Sequence, residues 1–149
     1  SLFTPLDFGL VGFSFACGLG VKIAKPSKKV ISLMGDGGFG MTISELSTAV
    51  EYKINTITIV LNNKSWGAEK AYQKDFFGKR YLGADITSPA FDKVAELYGA
   101  KGFKVKKISE LNEAVRASIK CNKPAVIDVD VDPKALYSFR RDSFKHRTK

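Results

Sequence analysis

An acidic residue and an asparagine pair each follow an apolar run, and their types and spacing suit a metal–phosphate site. Asp36 lies in the segment Gly35–Gly40, which contains four glycines and follows the apolar run Val30–Met34. Asn63 comes 27 positions later, after the apolar run Thr56–Leu61. Carboxylate and amide oxygens are suitable ligands for Mg²⁺, and glycine amides without side-chain bulk can close around a phosphate. A magnesium ion between Asp36 and a phosphate would turn their repulsion into attraction.

A βαβ unit would position these residues. Continuous apolar runs are typical of parallel strands buried on both faces, and the residues between the two runs predict a turn and a helix. In a right-handed unit both strands end at the same edge of the sheet, so Asp36 and Asn63 are expected to be neighbours. The predicted elements are a strand at Val30–Met34, a glycine-rich turn at Gly35–Gly40, a helix at about Ile43–Tyr52 and a strand at Thr56–Leu61.

The glycine spacing also matches a second kind of site. Gly35-x-Gly37-x-x-Gly40 fits the dinucleotide fingerprint, because it follows a predicted strand and opens a helix. That fingerprint requires an acid near the end of the second strand, where this chain has Asn62 and Asn63. It would also leave Asp36 facing a pyrophosphate without a neutralising charge. The metal–phosphate site is therefore favoured, and a nicotinamide- or flavin-binding Rossmann domain is the remote alternative.

The rest of the chain continues an alternation of helices and strands that is typical of a doubly wound, three-layer, Rossmann-like α/β fold with a parallel sheet. One domain is predicted for residues 1–137 and a basic tail for residues 138–149. Ser88-Pro89 is a typical helix start, Gly99 a helix end and Ser109 a further cap. The predicted elements are helices at Phe13–Ala24, from Ser88 to Gly99 and after Ser109, a short strand at Gly102–Val105 and a last strand at Pro124–Val131.

Composition argues against several classes of function. The net charge is +9, but residues 138–149 hold five Lys and Arg against one Asp. No zinc-finger, RNP or helix-turn-helix pattern accompanies this charge, so nucleic-acid binding is not expected. No apolar run approaches the ~20 residues of a membrane-spanning helix, and membrane association is not expected either. Cys17 and Cys121 lack metal-ligand spacing and are predicted to be reduced, which favours a cytoplasmic protein.

The Gly-Asp-Gly sequence at 35–37 and the Asn-Asn pair at 62–63 resemble the thiamine diphosphate-binding motif of the acetolactate synthase/pyruvate decarboxylase family. The resemblance extends from Gly9 to Val131 and implies a C-terminal cofactor-binding domain that uses thiamine diphosphate and Mg²⁺. By this resemblance the metal ligands are Asp36, Asn63 and the carbonyl of Ser65. The implied diphosphate contacts are the amides of Gly35, Gly37 and Gly38, and Gly67 is a further implied cofactor contact.

The sequence GLVGF at 9–13 resembles the segment that holds the aminopyrimidine of the cofactor in this family. The resemblance implies that Val11 lies under the cofactor and that backbone groups of Gly9 and Val11 bond to the pyrimidine. A bulky residue there holds the cofactor bent, which brings its reacting groups together.

Glu69 lies six residues after Asn63, a spacing similar to that of a glutamate that faces the reacting carbon in the decarboxylases. The resemblance implies a catalytic role, because a carboxyl group in that place can relay protons. An exposed Glu69-Lys70 pair on a helix is the alternative. Trp66 is interpreted as either a substrate contact or a core residue.

Within the family, WGAEK at 66–70 and FRRD at 139–142 are most similar to the sulfoacetaldehyde acetyltransferases. The resemblance implies a transferase or lyase that cleaves a carbon–carbon bond of a sulfonated aldehyde and transfers an acetyl group to phosphate. The guanidinium groups of Arg140 and Arg141 suit such small anionic substrates, and a basic tail without substrate contacts is the alternative. An acetolactate synthase, a subunit of a 2-oxo acid or sulfopyruvate decarboxylase, and a non-catalytic basic interaction module remain further alternatives.

Nothing in the chain resembles the other domain of this family, which binds the pyrimidine and carries the glutamate that activates the cofactor. The resemblance therefore implies a partner domain, either from a longer form of the same chain or from a second subunit. The 149-residue chain is expected to be inactive without it. A homodimer or homotetramer is the expected assembly.

Overall fold

The computed structural model describes residues 1–4 and 9–136, so the predicted tail at 138–149 lies outside the described residues. Four parallel strands form one sheet in the order β1-β2-β4-β3, and helices pack on its faces. A 3₁₀ turn at Ile108–Glu110 precedes the last helix. In chain order the elements are α1 (Phe13–Ala24), β1 (Ile31–Gly35), α2 (Asp36–Thr42), α3 (Glu45–Glu51), β2 (Ile57–Asn62), α4 (Gly67–Phe76), α5 (Phe91–Leu97), β3 (Lys101–Val105), α6 (Leu111–Cys121) and β4 (Ala125–Asp130).

The central strands separate two apolar cores. Because side chains alternate along a strand, Val60 and Val126 face one core, whereas Ile57 and Ile127 face the other. The first core is closed by α1, α2, α3 and α5, and α6 closes the second. The arrangement confirms the predicted three-layer α/β fold. None of the helices in the described part of the chain is long and apolar enough to span a bilayer.

The glycine-rich segment differs from the prediction. The sequence predicts a turn at Gly35–Gly40, but β1 continues to Gly35 and α2 begins at Asp36. Packing explains the helix: the fully buried Phe39 ring contacts Phe15 and Phe91 edge-on, with centroids 5.3 and 5.2 Å away. Burial of an aromatic side chain contributes roughly 1.5–3 kcal/mol, which offsets much of the ~1 kcal/mol that each of the three glycines costs the helix. The helix predicted at about Ile43–Tyr52 corresponds to α3 alone, and α2 takes the place of the predicted turn.

Strand β1 is buried on one face only. Its apolar sequence predicts burial on both faces, yet Ile31 and Leu33 are 49% and 59% exposed, whereas Ser32 between them is buried. One face of β1 stays exposed because β1 is the edge strand, and α6 packs against β2, β3 and β4 instead. In the described part of the chain no helix covers the outer face of β1.

Two predicted helix caps are wrong. Helix α5 begins at Phe91 rather than at Ser88-Pro89, and its N-cap residue is Ala90. Ser109 lies inside the 3₁₀ turn, where the Glu110 carboxylate accepts hydrogen bonds from two backbone N–H groups, those of Lys106 and Lys107. These two bonds lower the pKa of Glu110.

A buried carboxylate on β4 joins three other elements. Asp128 is 0% exposed and accepts hydrogen bonds at 3.1 Å from the Asn62 amide on β2, the Phe91 N–H at the start of α5 and the Lys104 ammonium on β3. Lys104 also pairs with Asp130. Burial lowers the pKa of Lys104, but the hydrogen bonds to Asp130 and Asp128 outweigh it and leave the pKa above its ordinary value of 10.5. Lys104 is therefore cationic at neutral pH and compensates the buried charge.

Replacing Asp128 by alanine is expected to lower the free energy of unfolding by about 3–5 kcal/mol, because it leaves the Lys104 charge and two donors without their buried acceptor. Urea unfolding followed by circular dichroism measures this change. Asp130→Ala is the matched control, since it removes the more exposed partner of the same lysine and should cost less than about 1 kcal/mol. Equal losses for the two variants would contradict the assignment of Asp128 as the structural acceptor.

Candidate cofactor and metal site

The carboxyl ends of β1 and β2 lie side by side. The two strands run parallel, and Gly35 is paired with Leu61. The chain therefore enters α2 at Asp36 next to the point where β2 ends at Asn62. Neighbouring strands are about 4.8 Å apart, so the glycine segment and the asparagine pair share one edge of the sheet, as the βαβ prediction requires.

Asp36 is a buried carboxylate without a cationic partner. It is 1% exposed, and the Ser88 hydroxyl donates to its Oδ2 at 2.6 Å. Within residues 1–4 and 9–136, no Lys, Arg or His nitrogen lies within 4 Å of this carboxylate. The helix dipole at the start of α2 stabilises a negative charge on Asp36 by roughly 0.3–1 kcal/mol, whereas taking a carboxylate out of water costs several kcal/mol. The site therefore suits a bound cation.

The turn after β2 presents oxygen atoms to the same edge. The Asn63 side-chain oxygen accepts the Ser65 N–H at 3.1 Å, which fixes the turn and leaves the second lone pair of that oxygen available. A Cβ at Gly67 would lie 2.7 Å from the Asn63 amide nitrogen, so a larger residue there would displace the Asn63 side chain. The Asn62 Oδ1 and Ser65 Oγ atoms are buried without a hydrogen-bond partner in the described part of the chain.

Trp66 connects this turn to the glycine segment. A Cβ at Gly37 would lie 2.5 Å from the Trp66 Cζ3 atom, so the indole ring packs directly on the backbone of α2. The backbone N–H of Trp66 also donates to the Ala84 carbonyl at 2.8 Å. Trp66 therefore packs between the turn after β2 and the glycine segment.

A third segment reaches the same place from the N-terminal side. A Cβ at Gly38 would lie 3.6 Å from the Gly12 nitrogen and 3.8 Å from a Val11 methyl group. Val11 and Gly9 are themselves exposed. A Cβ at Gly35 would meet no atom within 4 Å, so the edge above the strand end is open. The structure thus brings together the segments 9–12, 35–38 and 62–67.

Of the remaining predicted site residues, Glu69 is on the surface of the domain, and the two arginines lie outside the described residues. Glu69 is exposed in the first turn of α4. The next residue, Lys70, pairs with Asp85. Arg140 and Arg141 lie outside the residues that the structure describes.

Sequence reasoning missed two residues of this region. Ser88 contacts Asp36 across 52 positions and was predicted only as a helix cap, so no local pattern indicates the contact. Asp128 holds Asn62, the neighbour of Asn63, across 66 positions. Here a signal exists, since a single acid inside the apolar run Ala125–Val129 indicates a buried polar contact.

The donor set favours a hard cation. In residues 1–4 and 9–136 no group of three or more His, Cys, Asp or Glu side chains could hold a metal ion. A cation at Asp36 would therefore depend on amide and carbonyl oxygens and on oxygens of a bound ligand. Mg²⁺ is commonly held in this way, by one or two carboxylates and substrate phosphates.

Comparisons with known proteins agree with this geometry. A family model described as "Thiamine pyrophosphate enzyme, C-terminal TPP binding domain" matches residues 1–129. The probable acetolactate synthase large subunit of Methanococcus aeolicus is 38% identical over 142 residues, which cover 91% of this chain and 24% of that protein. The sulfoacetaldehyde acetyltransferase of Alcaligenes xylosoxydans xylosoxydans is 34% identical over 147 residues, covering 96% and 24%.

A solved structure gives the same result. The thiamine diphosphate-dependent 4-hydroxybenzoylformate decarboxylase of Rhodococcus jostii RHA1 superposes with a TM-score of 0.76 at 30% identity, over 82% of this chain and 23% of that one. The chain spans about a quarter of the length of the curated relatives it matches. These findings confirm the resemblance stated from the motifs. The chain belongs to the family of thiamine pyrophosphate enzymes and corresponds to their C-terminal thiamine pyrophosphate-binding domain.

Proposed function

We propose that this domain binds the diphosphate of thiamine diphosphate through a Mg²⁺ ion held by Asp36, the Asn63 side-chain oxygen and the Ser65 carbonyl. The observation that carries the proposal is the buried Asp36 carboxylate, which has no cationic side chain near it in the described part of the chain. A divalent cation satisfies this carboxylate and at the same time attracts the diphosphate.

The glycine segment supports the diphosphate end of this site. The first N–H groups of helix α2 have no intrahelical acceptors, as in any helix, and no side chain caps them. They can therefore bond to phosphate oxygens. The proposed amides are those of Gly35, Gly37 and Gly38. Open space at Gly35 leaves room for the ligand, and Gly67 preserves the position of the Asn63 amide.

Val11 supports the other end of the cofactor. The support is that Val11 is an exposed apolar side chain close to Gly38, and the proposal puts the ring system of the cofactor above it. Backbone groups of Gly9 and Val11 are the proposed contacts of the pyrimidine. Bound thiamine diphosphate supplies carbanion stabilisation, and the protein supplies orientation and electrostatics.

Binding of thiamine diphosphate by the full-length protein is expected to require Mg²⁺ and to be lost in Asp36→Ala, because the buried carboxylate is the main charged ligand. Calorimetric titration with and without Mg²⁺ measures this. Asp75→Ala, which removes an exposed carboxylate of α4, is the matched control and should bind as the wild type. Binding that is indifferent to Mg²⁺, or unchanged in Asp36→Ala, would refute the metal site.

For the reaction, we infer cleavage of a small anionic carbonyl compound in the manner of the sulfoacetaldehyde acetyltransferases. The support is the similarity of WGAEK at 66–70 and FRRD at 139–142, together with 34% identity over 96% of the chain. An acetolactate synthase reaction is the second candidate, supported by 38% identity over 91% of the chain. In either case Glu69 is the proposed proton relay, while Trp66, Arg140 and Arg141 are the proposed substrate contacts.

Kinetics of the full-length protein with sulfoacetaldehyde and phosphate, and with pyruvate, separate the two reactions. Replacing both Arg140 and Arg141 by glutamine is expected to raise KM for the anionic substrate about tenfold or more, since charge-assisted hydrogen bonds are lost. Glu69→Gln is expected to lower kcat by roughly 10²-fold with cofactor binding retained. Arg116→Gln on α6 is the control for loss of positive charge. Unchanged kinetics in the double-arginine variant would exclude the tail from the site.

We propose further that a pyrimidine-binding domain, from the same longer chain or a second subunit of a homodimer or homotetramer, packs on the exposed face of α1. That face forms an apolar groove of about 620 Å³ that continues from Val11. Ala16, Gly20 and Ala24 recur at every fourth position, so a backbone can approach α1 closely. The chain's share of about a quarter of its relatives' length leaves ample sequence for such a domain.

Filling the groove with Ala16→Trp in the full-length protein is expected to weaken both assembly and cofactor binding, because a bulky ring separates the two domains. Light scattering reports the assembly and calorimetry the cofactor affinity. Lys120→Trp places the same ring on the exposed side of α6 and serves as the control. Normal assembly and affinity in Ala16→Trp would show that the partner domain lies elsewhere.

A further inference from the structure

We propose that Ser88 is a positioning residue whose hydroxyl holds the Asp36 carboxylate in the orientation that binds Mg²⁺. This inference rests on the proposed function of Asp36 as a metal ligand. It assigns a role to a residue that lies 52 positions away from that ligand and outside every recognised segment of the site.

The contact has the geometry of a strong hydrogen bond. Ser88 Oγ donates to Asp36 Oδ2 at 2.6 Å, within the range of O–H donors bonded to an ionised carboxylate. Among the described residues it is the one side chain that bonds this carboxylate. The bond engages a single oxygen atom, so Oδ1 stays available to a cation. Groups that orient a metal ligand in this way tune the affinity for the metal.

The residues that follow Ser88 contact buried parts of the domain. The neighbouring Pro89 carbonyl accepts a long hydrogen bond, 3.5 Å, from the Asn62 amide. Two residues further on, the Phe91 N–H donates to Asp128 at 3.1 Å, and the Phe91 ring packs on Phe39 of α2. The segment that carries Ser88 is therefore tied to β2, β4 and α2.

A helix-capping role does not explain the hydroxyl. The N-cap residue of α5 is Ala90, and no side chain caps that helix. The Ser88 hydroxyl is partly buried, and its described hydrogen bond is the one to Asp36. Losing it would free the carboxylate to rotate while leaving the contacts of Pro89 and Phe91 unchanged.

The test measures the Mg²⁺ dissociation constant of the full-length protein at saturating thiamine diphosphate, together with the thermal unfolding midpoint of the metal-free protein. Ser88→Ala is expected to weaken Mg²⁺ binding by about 10–100-fold. Ser88→Thr retains the hydroxyl and is expected to restore the affinity to within about threefold. Ser118→Ala is the matched control, because it removes a buried hydroxyl that donates to the Ala114 carbonyl at 2.7 Å on α6, on the other side of the sheet.

The outcomes separate this inference from the metal site itself. The positioning role is supported if Mg²⁺ affinity is lost in Ser88→Ala and recovered in Ser88→Thr. The unfolding midpoint of Ser88→Ala should then be no lower than that of Ser118→Ala. Wild-type Mg²⁺ affinity in Ser88→Ala, with affinity lost in Asp36→Ala, overturns the inference and leaves the metal site standing. Wild-type affinity in Asp36→Ala overturns both. If Ser88→Ala does not fold, Ser88→Val and Ser88→Thr provide the same comparison between an apolar and a hydroxyl side chain of equal size.

Discussion

The buried carboxylate of Asp128 is the interaction on which the geometry of the site edge depends. It accepts hydrogen bonds from β2, β3 and the first residue of α5, so three separate parts of the chain are held by one charge. A buried acid without a cation would be costly, and Lys104 meets that need from β3. Through Asn62 the same network reaches the turn of Asn63, and through Phe91 it reaches the segment of Ser88. Structural support and ligand geometry are therefore coupled in this domain.

Close packing on glycine backbone forms the floor of the site. Trp66 lies on Gly37 so closely that a Cβ there would clash with the indole ring, and the segment of Val11 lies within van der Waals range of a Cβ at Gly38. On its inner side the same short helix inserts Phe39 between two aromatic rings of the core. Helix α2 thus has one face fixed by apolar packing and a start that is open to a ligand at Gly35. Such a rigid support with an open edge suits a site in which a cofactor must be oriented.

The family relationship concerns the cofactor-binding domain of thiamine pyrophosphate enzymes. Its relatives include an acetolactate synthase and a sulfoacetaldehyde acetyltransferase at similar identity, so this domain is shared by proteins named for different reactions. The apolar groove beside Val11 and the face of β1 that no described residue covers are exposed apolar surfaces, which often mark interaction sites.

The sequence by itself determined the parallel α/β fold, the bounds of α1 and the shared edge of the glycine segment and the asparagine pair. These features follow from hydrophobic period, strand polarity and the handedness of βαβ units, all of which are local or nearly so. The motif spacing was also sufficient to name the family. Only the tertiary structure decided that the glycine segment is helical, that Ser88 contacts Asp36 and that Asp128 holds Asn62. The two contacts join residues 52 and 66 positions apart, and the choice of partner depends on how whole elements pack, which no local pattern encodes.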